Sequence, residues 1–258
     1  LVVIDRFTCL LAPLLDLVFP PRCVARACRR AGHWLCQDCL DRVRPLPDLH
    51  CPRCAEPWPR EAGLCAACRA DAPDFSGAFC LGLYEGPLMD AVHALKYRGL
   101  RAVARPLGAA MAQAMLWADW PPGVPGAAEP PQVLALPSHP RRVLRRGVDH
   151  SAALAGALSA SLGWPLAPRR LQRRRATADQ VGLGVHERRA NVAEAFASGR
   201  WQGESLLLVD DVLTTGATAR AAAAALRHAG AGGIWLATLA RAAPAFAERP
   251  GLGPPQSL

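Results

Sequence analysis

At 258 residues, 51% of them hydrophobic, the chain is long enough for one sizeable α/β domain plus a small accessory one, and it is too apolar to be disordered throughout. A formal net charge of +9 favours anionic partners such as phosphates or nucleic acid, and nearly all the positive charge is arginine because Lys96 is the only lysine. No apolar run approaches the length of a membrane-spanning helix, so no span is expected.

The opening run from Leu10 to Phe19 is apolar but interrupted by Pro13 and Asp16, and it lacks the basic start and small-residue cleavage site of an export signal. It reads as a short helix packed on the body of the protein, within an N-terminal segment 1–22. Segment 23–75 follows, carrying eight cysteines in four close pairs: Cys23/Cys28, Cys36/Cys39, Cys51/Cys54 and Cys65/Cys68. Such spacing lets a knuckle turn aim two thiolates at one tetrahedral ion, and two knuckles close a structural zinc site. The sequence between them is rich in Pro, Arg and Gly, with too little apolar material to fold without a metal staple. A redox dithiol system is the competing reading, but four repeated pairs without a thioredoxin-like βαβ context argue against it. Spacing alone leaves the pairing open; the expected arrangement joins neighbouring pairs in order. Cys9 and Cys80 fall outside the pattern and read as buried thiols, and His33 as a surface or packed histidine.

A domain over 76–245 begins with a strand at Phe79 to Tyr84. Gly86-Pro87 breaks the chain before a helical stretch containing Leu95-Lys96-Tyr97-Arg98-Gly99. Pro121 to Pro131 reads as a surface loop. Gln132 to Pro137 reads as a buried strand ending in Ser138-His139-Pro140-Arg141-Arg142. Asp149 to Leu162 has helical spacing and is stopped by Trp164-Pro165. Arginines cluster at 169, 170 and 173–175, and the polar segment Thr177 to Arg189 has the character of a mobile loop. Asn191 to Phe196 is expected to return to the sheet, and Gly233 to Leu239 to supply its last strand. The tail, 246–258, is Pro/Gly-rich and expected to be disordered. Strands alternating with helices imply a mostly parallel α/β sheet flanked by helices.

The chemistry concentrates between Ser205 and Thr218. Leu206 to Val209 is a continuous apolar run, as in a strand buried on both faces, and Asp210 and Asp211 fall at its carboxyl end, where open α/β sheets place ligands. Thr214 and Thr215 are good N-cap types, Gly216 lets a ligand approach the backbone, and an Ala-rich helix follows to Gly230. A helix starting there favours an anion, most simply a phosphate. The carboxylates suit ribose hydroxyls or a divalent cation held through water. No Gly-Lys-Ser/Thr follows, so this is not a Walker loop, and the GxG at Gly182 and Gly184 has Glu187 where a dinucleotide fingerprint needs its third glycine.

Apolar strand, two acids and Thr-Thr-Gly-x-Thr closely resemble the phosphoribosyl pyrophosphate (PRPP) signature of type I phosphoribosyltransferases. Together with Phe19-Pro20-Pro21-Arg22-Cys23, the cysteine pairs, Tyr84-Glu85-Gly86-Pro87-Leu88, Leu95 to Gly99, His139-Pro140, Arg146-Gly147, Arg175-x-Thr177-x-x-Gln180 and Glu187-Arg188-Arg189-x-Asn191-Val192, the chain resembles the ComF family. That family joins a double zinc ribbon to a type I phosphoribosyltransferase-like domain. Two departures stand out: four residues rather than two inside the first cysteine pair, and Val148-Asp149-His150 where the family usually has Phe-Asn-Gln.

The resemblance implies a cytoplasmic, PRPP-binding protein serving natural competence, the uptake of DNA. It implies that residues 212–218 (Val212, Leu213, Thr214, Thr215, Gly216, Ala217, Thr218) hold the 5′-phosphate. Asp210 and Asp211 would accept from the ribose hydroxyls, Mg2+ would accompany the pyrophosphate, and Ser138, His139 and Arg141 would cradle it. Arg175, Thr177 and Gln180 would close a lid, and Asp211 would stabilise positive character at the anomeric carbon. A second reading is single-stranded nucleic-acid binding through Arg142, Arg145, Arg146, Arg173 and Arg174, with Trp34, Trp58 and Tyr97 as exposed aromatics stacking on bases. A third is a salvage phosphoribosyltransferase, for which no base-recognition hood is evident. Other competence proteins are expected partners.

Overall fold

In the computed structural model the described residues are 20–58, 63–122, 124, 129–138, 149–174 and 195–242. The expected Leu10–Phe19 helix, Cys9, the segment from Thr177 to Arg189 and the tail from 246 lie outside them.

The apolar run of the acidic strand is the centre of the sheet. Four strands lie in the order β1 (Gly77–Leu83), β6 (Ile234–Arg241), β5 (Leu206–Leu213), β2 (Gln132–Ala135). All three pairings are parallel, with Leu207 opposite Val133 on one side and Trp235 on the other. Leu206 to Val209 are fully buried because helices cover both faces, which is why this strand shows no polar alternation.

On one face, α3 (Gly86–Tyr97), α4 (Ala104–Trp117) and α5 (His150–Leu162) bury Leu95, Leu107, Met111 and Leu158 against Leu207 and Val209. Helix α4 meets α5 closely at Gly108, where an added Cβ would lie 2.7 Å from that of Ala157. Helix α5 starts at Asp149, whose carboxylate accepts from the Ala152 amide at 3.2 Å, and ends at Gly163 in the left-handed region (φ +69°), an ordinary N-cap and C-terminal stop. On the other face, α6 (Ala217–His228) lays Ala219, Ala221 to Ala223 and Leu226 against Leu206 and Leu208.

The arginine-dense segment is partly a strand. β3 (Leu171–Arg173) pairs antiparallel with β4 (Phe196–Ser198) in a separate two-stranded sheet. The expectation that Asn191 to Phe196 rejoins the main sheet is therefore corrected: Phe196 pairs with Arg173, and 191–194 lie outside the described residues.

Cysteine-bearing loops with two short helices, α1 (Gln37–Leu40) and α2 (Ala66–Ala70), precede β1. The first loops share an apolar cluster with α3 to α5, whereas Cys51, Cys65 and Cys68 form a small cluster with Cys54, Trp58 and Leu64. Trp34 packs against the larger cluster, and Trp58 lies half-buried with Arg69 stacked on its ring at 5.8 Å. The expectation that these two tryptophans are exposed for stacking is thus corrected; of the three aromatics only Tyr97 is exposed.

Candidate functional site

The thiols gather in two quartets, Cys23/Cys28/Cys36/Cys39 and Cys51/Cys54/Cys65/Cys68, with the four sulfurs of each within 4.8 Å of one another. Neighbouring pairs therefore combine in order. A donor set of four sulfurs at that spacing fits a closed tetrahedral zinc site, and these eight residues would hold the two ions. Burial pushes the Cys39 thiol up to about 12, and a bound cation is what favours its thiolate. Cys80 is different: it is buried, its sulfur lies 3.1 Å from the Thr238 hydroxyl, and burial pushes it up to about 12, an inert thiol as expected. His33 is exposed and outside both quartets.

Asp210 and Asp211 sit near the carboxyl end of β5 and meet the start of α5. Asp210, half-buried, accepts from Ser151 Oγ at 2.9 Å. Asp211, only 6% exposed, lies 2.8 Å from Lys96 Nζ and 3.7 Å from His150 Nε2. His150 and Ser151 open α5, so both acids stand at the positive end of a thirteen-residue helix, where negative charge is favoured. Burial pushes the Asp210 carboxyl up to about 7, and the negative charge of Asp211 adds to the rise; bonds from the Asp211 backbone and the Ser151 hydroxyl, and the Lys96 charge, oppose it.

Beyond the acids the chain opens to solvent. Leu213 is buried in the core, but Thr214, Thr215 and Ala217 are exposed, and Val212, Gly216 and Thr218 lie between these extremes. Gly216, not a threonine, is the N-cap of α6, at φ +76° in the left-handed region that favours glycine. No side chain makes a cap hydrogen bond there; the Ala217 amide reaches only Thr215 Oγ1, at 3.4 Å. The expectation that a threonine caps this helix is corrected: the threonines line the turn, and the first-turn amides lack carbonyl partners within the helix.

Ser138 lies just past β2 at the same sheet edge as Asp210, since β2 and β5 run parallel with Ala135 opposite Val209. His139, Arg141, Arg142, Arg145 and Arg146 lie outside the described residues, as do Arg175, Thr177 and Gln180. Arg173 ends β3 and stacks over Phe196 at 5.5 Å, and the exposed Arg174, just past the strand, donates its amide to the Ala195 carbonyl at 2.9 Å. Lys96, His150 and Ser151 were not among the expected site residues. Lys96 had a signal, as the lone lysine of the chain; no local pattern marks the other two, because the helix start that brings them to β5 is a tertiary fact.

A double zinc ribbon domain model matches residues 14–69. The chain is 32% identical over 212 residues to the DNA utilization protein YhgH of Salmonella typhi, covering 81% of this chain and 92% of that one. The chain belongs to the ComF family. It is also 30% identical to YhgH of Escherichia coli K12 over 81% of this chain and 92% of that one, and 28% identical to Competence protein F of Haemophilus influenzae over 82% and 92%. A solved structure described as the allosteric regulatory enzyme of purine biosynthesis matches at a TM-score of 0.34 and 20% identity, over 54% of this chain and 25% of that one, too loosely to bear on the site. As a ComF-family chain it joins zinc-ribbon cysteines to a parallel α/β sheet, and among the described residues no helix is long and apolar enough to cross a membrane.

Proposed function

We propose that this ComF-family chain binds PRPP at the turn between β5 and α6 and serves DNA uptake as a phosphoribosyltransferase-like protein. The observation that carries the reading is the solvent-open turn directly after two carboxylates: exposed Thr214 and Thr215, then a glycine that starts a helix. Amides of residues 217–219 and the threonine hydroxyls supply donors for a 5′-phosphate. Asp210 accepts from a ribose hydroxyl, and Asp211 holds Lys96 beside it, so that the lysine offers positive charge to the pyrophosphate. Mg2+ would arrive with the pyrophosphate and neutralise it, with a carboxylate oxygen of Asp210 within its reach through water. Ser138, with His139 and Arg141, would face the pyrophosphate from the neighbouring strand, and Arg175, Thr177 and Gln180 would close over it. Two thiolate-bound zinc ions suit the reducing cytoplasm, where we place the protein.

Isothermal calorimetry with PRPP and Mg2+ tests this. Binding is expected to the parent chain and to be lost in the Asp210→Ala/Asp211→Ala double variant. No heat with the folded parent would remove the proposal.

A second reading, single-stranded DNA binding, is favoured by one observation. Arg169, Arg170, Arg174 and Arg200 are exposed on or beside the two-stranded sheet, around a cavity of about 460 Å3 lined by Arg170, Gly199, Arg200, Gln202 and Glu204. Relatives named for DNA utilization and competence agree with such a partner. Filter binding over a salt series separates the readings, since phosphate contacts give a steep loss of affinity with salt. An Arg170→Ala/Arg174→Ala variant should flatten that slope and leave PRPP binding intact.

A further inference from the structure

Two arginines join the second cysteine quartet to the two ends of the Thr214–Thr218 turn. Arg241, the last residue of β6 and 5% exposed, donates from Nη1 to the carbonyls of Leu213 (2.9 Å) and Thr214. Its Nη2 pairs with the carboxylate of Glu56, two residues after Cys54. Arg220, in the first turn of α6, donates from Nη1 to the Asp71 carbonyl at 2.8 Å and sets Nη2 3.8 Å from Cys68 Sγ. Asp71 is the C-cap of α2, the short helix that carries Cys68. One arginine thus holds the carbonyls where β5 ends, and the other holds the helix that begins after Gly216.

Neither end of the turn has a strong local anchor. No side-chain hydrogen bond caps α6, and Thr214 and Thr215 are exposed. The loops on which the arginines pull are equally dependent on something else. Among the described residues the cluster around the second quartet adds to its four cysteines only Trp58 and Leu64, and Ala55, beside Glu56, is buried in the core under α6; apolar burial thus anchors one point of these loops and the metal is what can fix the rest. The first quartet is placed differently. Its loop touches α3, through Arg26 and Asp90 at 3.2 Å, and its own arginine contact, Arg42 Nη2 to Cys39 Sγ at 3.0 Å, stays within the loop.

We propose that Arg241 and Arg220 are positioning residues that make the order of the Thr214–Thr218 turn depend on metal occupancy of the Cys51/Cys54/Cys65/Cys68 site and not of the first. With the metal bound, Glu56 and Asp71 are fixed and both ends of the turn are held; without it, both arginines lose fixed partners and the turn loosens. As a mode of regulating anion binding this rests on the reading of the turn as a PRPP phosphate site, but the coupling itself does not.

The test uses the full-length zinc-loaded protein without PRPP, following amide hydrogen exchange by NMR. The Arg220 amide, bonded to the Gly216 carbonyl at 2.8 Å, and the Ala242 amide, bonded to the Leu213 carbonyl at 3.0 Å, report opening on either side of the turn. Glu56→Ala and Arg220→Gln should each speed exchange there about tenfold, the loss expected for a charged hydrogen bond, while native mass spectrometry still counts two zinc ions. Glu56→Gln, which keeps an acceptor oxygen, should recover part of the protection. Cys68→Ser, which releases the second ion, should speed exchange at least as much, and Arg42→Met should leave both amides at the parent rate. Parent-like exchange in Glu56→Ala, Arg220→Gln and Cys68→Ser would overturn the proposal, as would equal acceleration throughout the sheet. Should the parent fail to bind PRPP in calorimetry, the functional reading falls while these rates still decide the coupling.

Discussion

Replacing Lys96 by methionine is the sharpest probe of the acidic strand end. Methionine preserves most of the volume but leaves Asp211 without the cation at 2.8 Å. The two side chains are 18% and 8% exposed, so water replaces the lost partner poorly. Removing one member of a well-buried pair costs about 3–5 kcal/mol. The partial exposure of Lys96 and the nearness of His150, 3.7 Å from the same carboxylate, place the expected loss at about 3 kcal/mol. For a chain of this size that lowers the melting temperature by roughly 6–12 °C. Asp211→Asn should cost less, about 1–2 kcal/mol, because the flexible lysine left behind can reach water. The double variant contains neither charge and should be more stable than Lys96→Met alone. Urea unfolding of the four proteins closes the cycle, with an expected coupling of about 2 kcal/mol or more. Additivity within about 0.5 kcal/mol would refute the argument that Lys96 is present to compensate a buried acid.

Asp210 supplies a pH dependence. Its folded pKa, about 7, lies above the ordinary carboxylate value of 3.8, so the folded state binds a proton more tightly than the unfolded chain and stability falls as pH rises from about 4 to about 7. Asp210→Asn should remove that decline, leaving the variant more stable than the parent by a few kcal/mol at pH 8 and level with it near pH 4; parallel unfolding curves across that range would contradict the assignment. Gly216→Ala should cost about 1–2 kcal/mol and shift the melting temperature accordingly, because a side chain is strained at φ +76° even though its Cβ would meet only Leu213 Cδ1, at an ordinary 3.5 Å. Native mass spectrometry should count two zinc ions in the parent and one in Cys39→Ser; a single ion in the parent would contradict two separate quartets.

Much of this molecule is written locally. Eight cysteines in four close pairs announce metal knuckles, because a tetrahedral ion needs donors that a short turn can deliver. The run Leu206 to Val209 announces a strand covered on both faces, and the ends of α5 are marked within a few residues, by the Asp149 carboxylate at its start and by Trp164-Pro165 just past its end. Even the family was legible from motifs. Other features depend on groups distant in sequence. The pairing of the quartets was open until backbone geometry brought Cys23 to Cys39 and Cys51 to Cys68, since thiol spacing is the same for either arrangement. Phe196 left the main sheet because Arg173 offered it a partner strand. The environment of the two acids was likewise invisible: Lys96, His150 and Ser151 come from two helices far from residue 210 in sequence. Only packing against the sheet aims them at carboxylates whose desolvation requires compensation. A sequence records which groups can ionise or bind metal; the fold decides which of them must face one another.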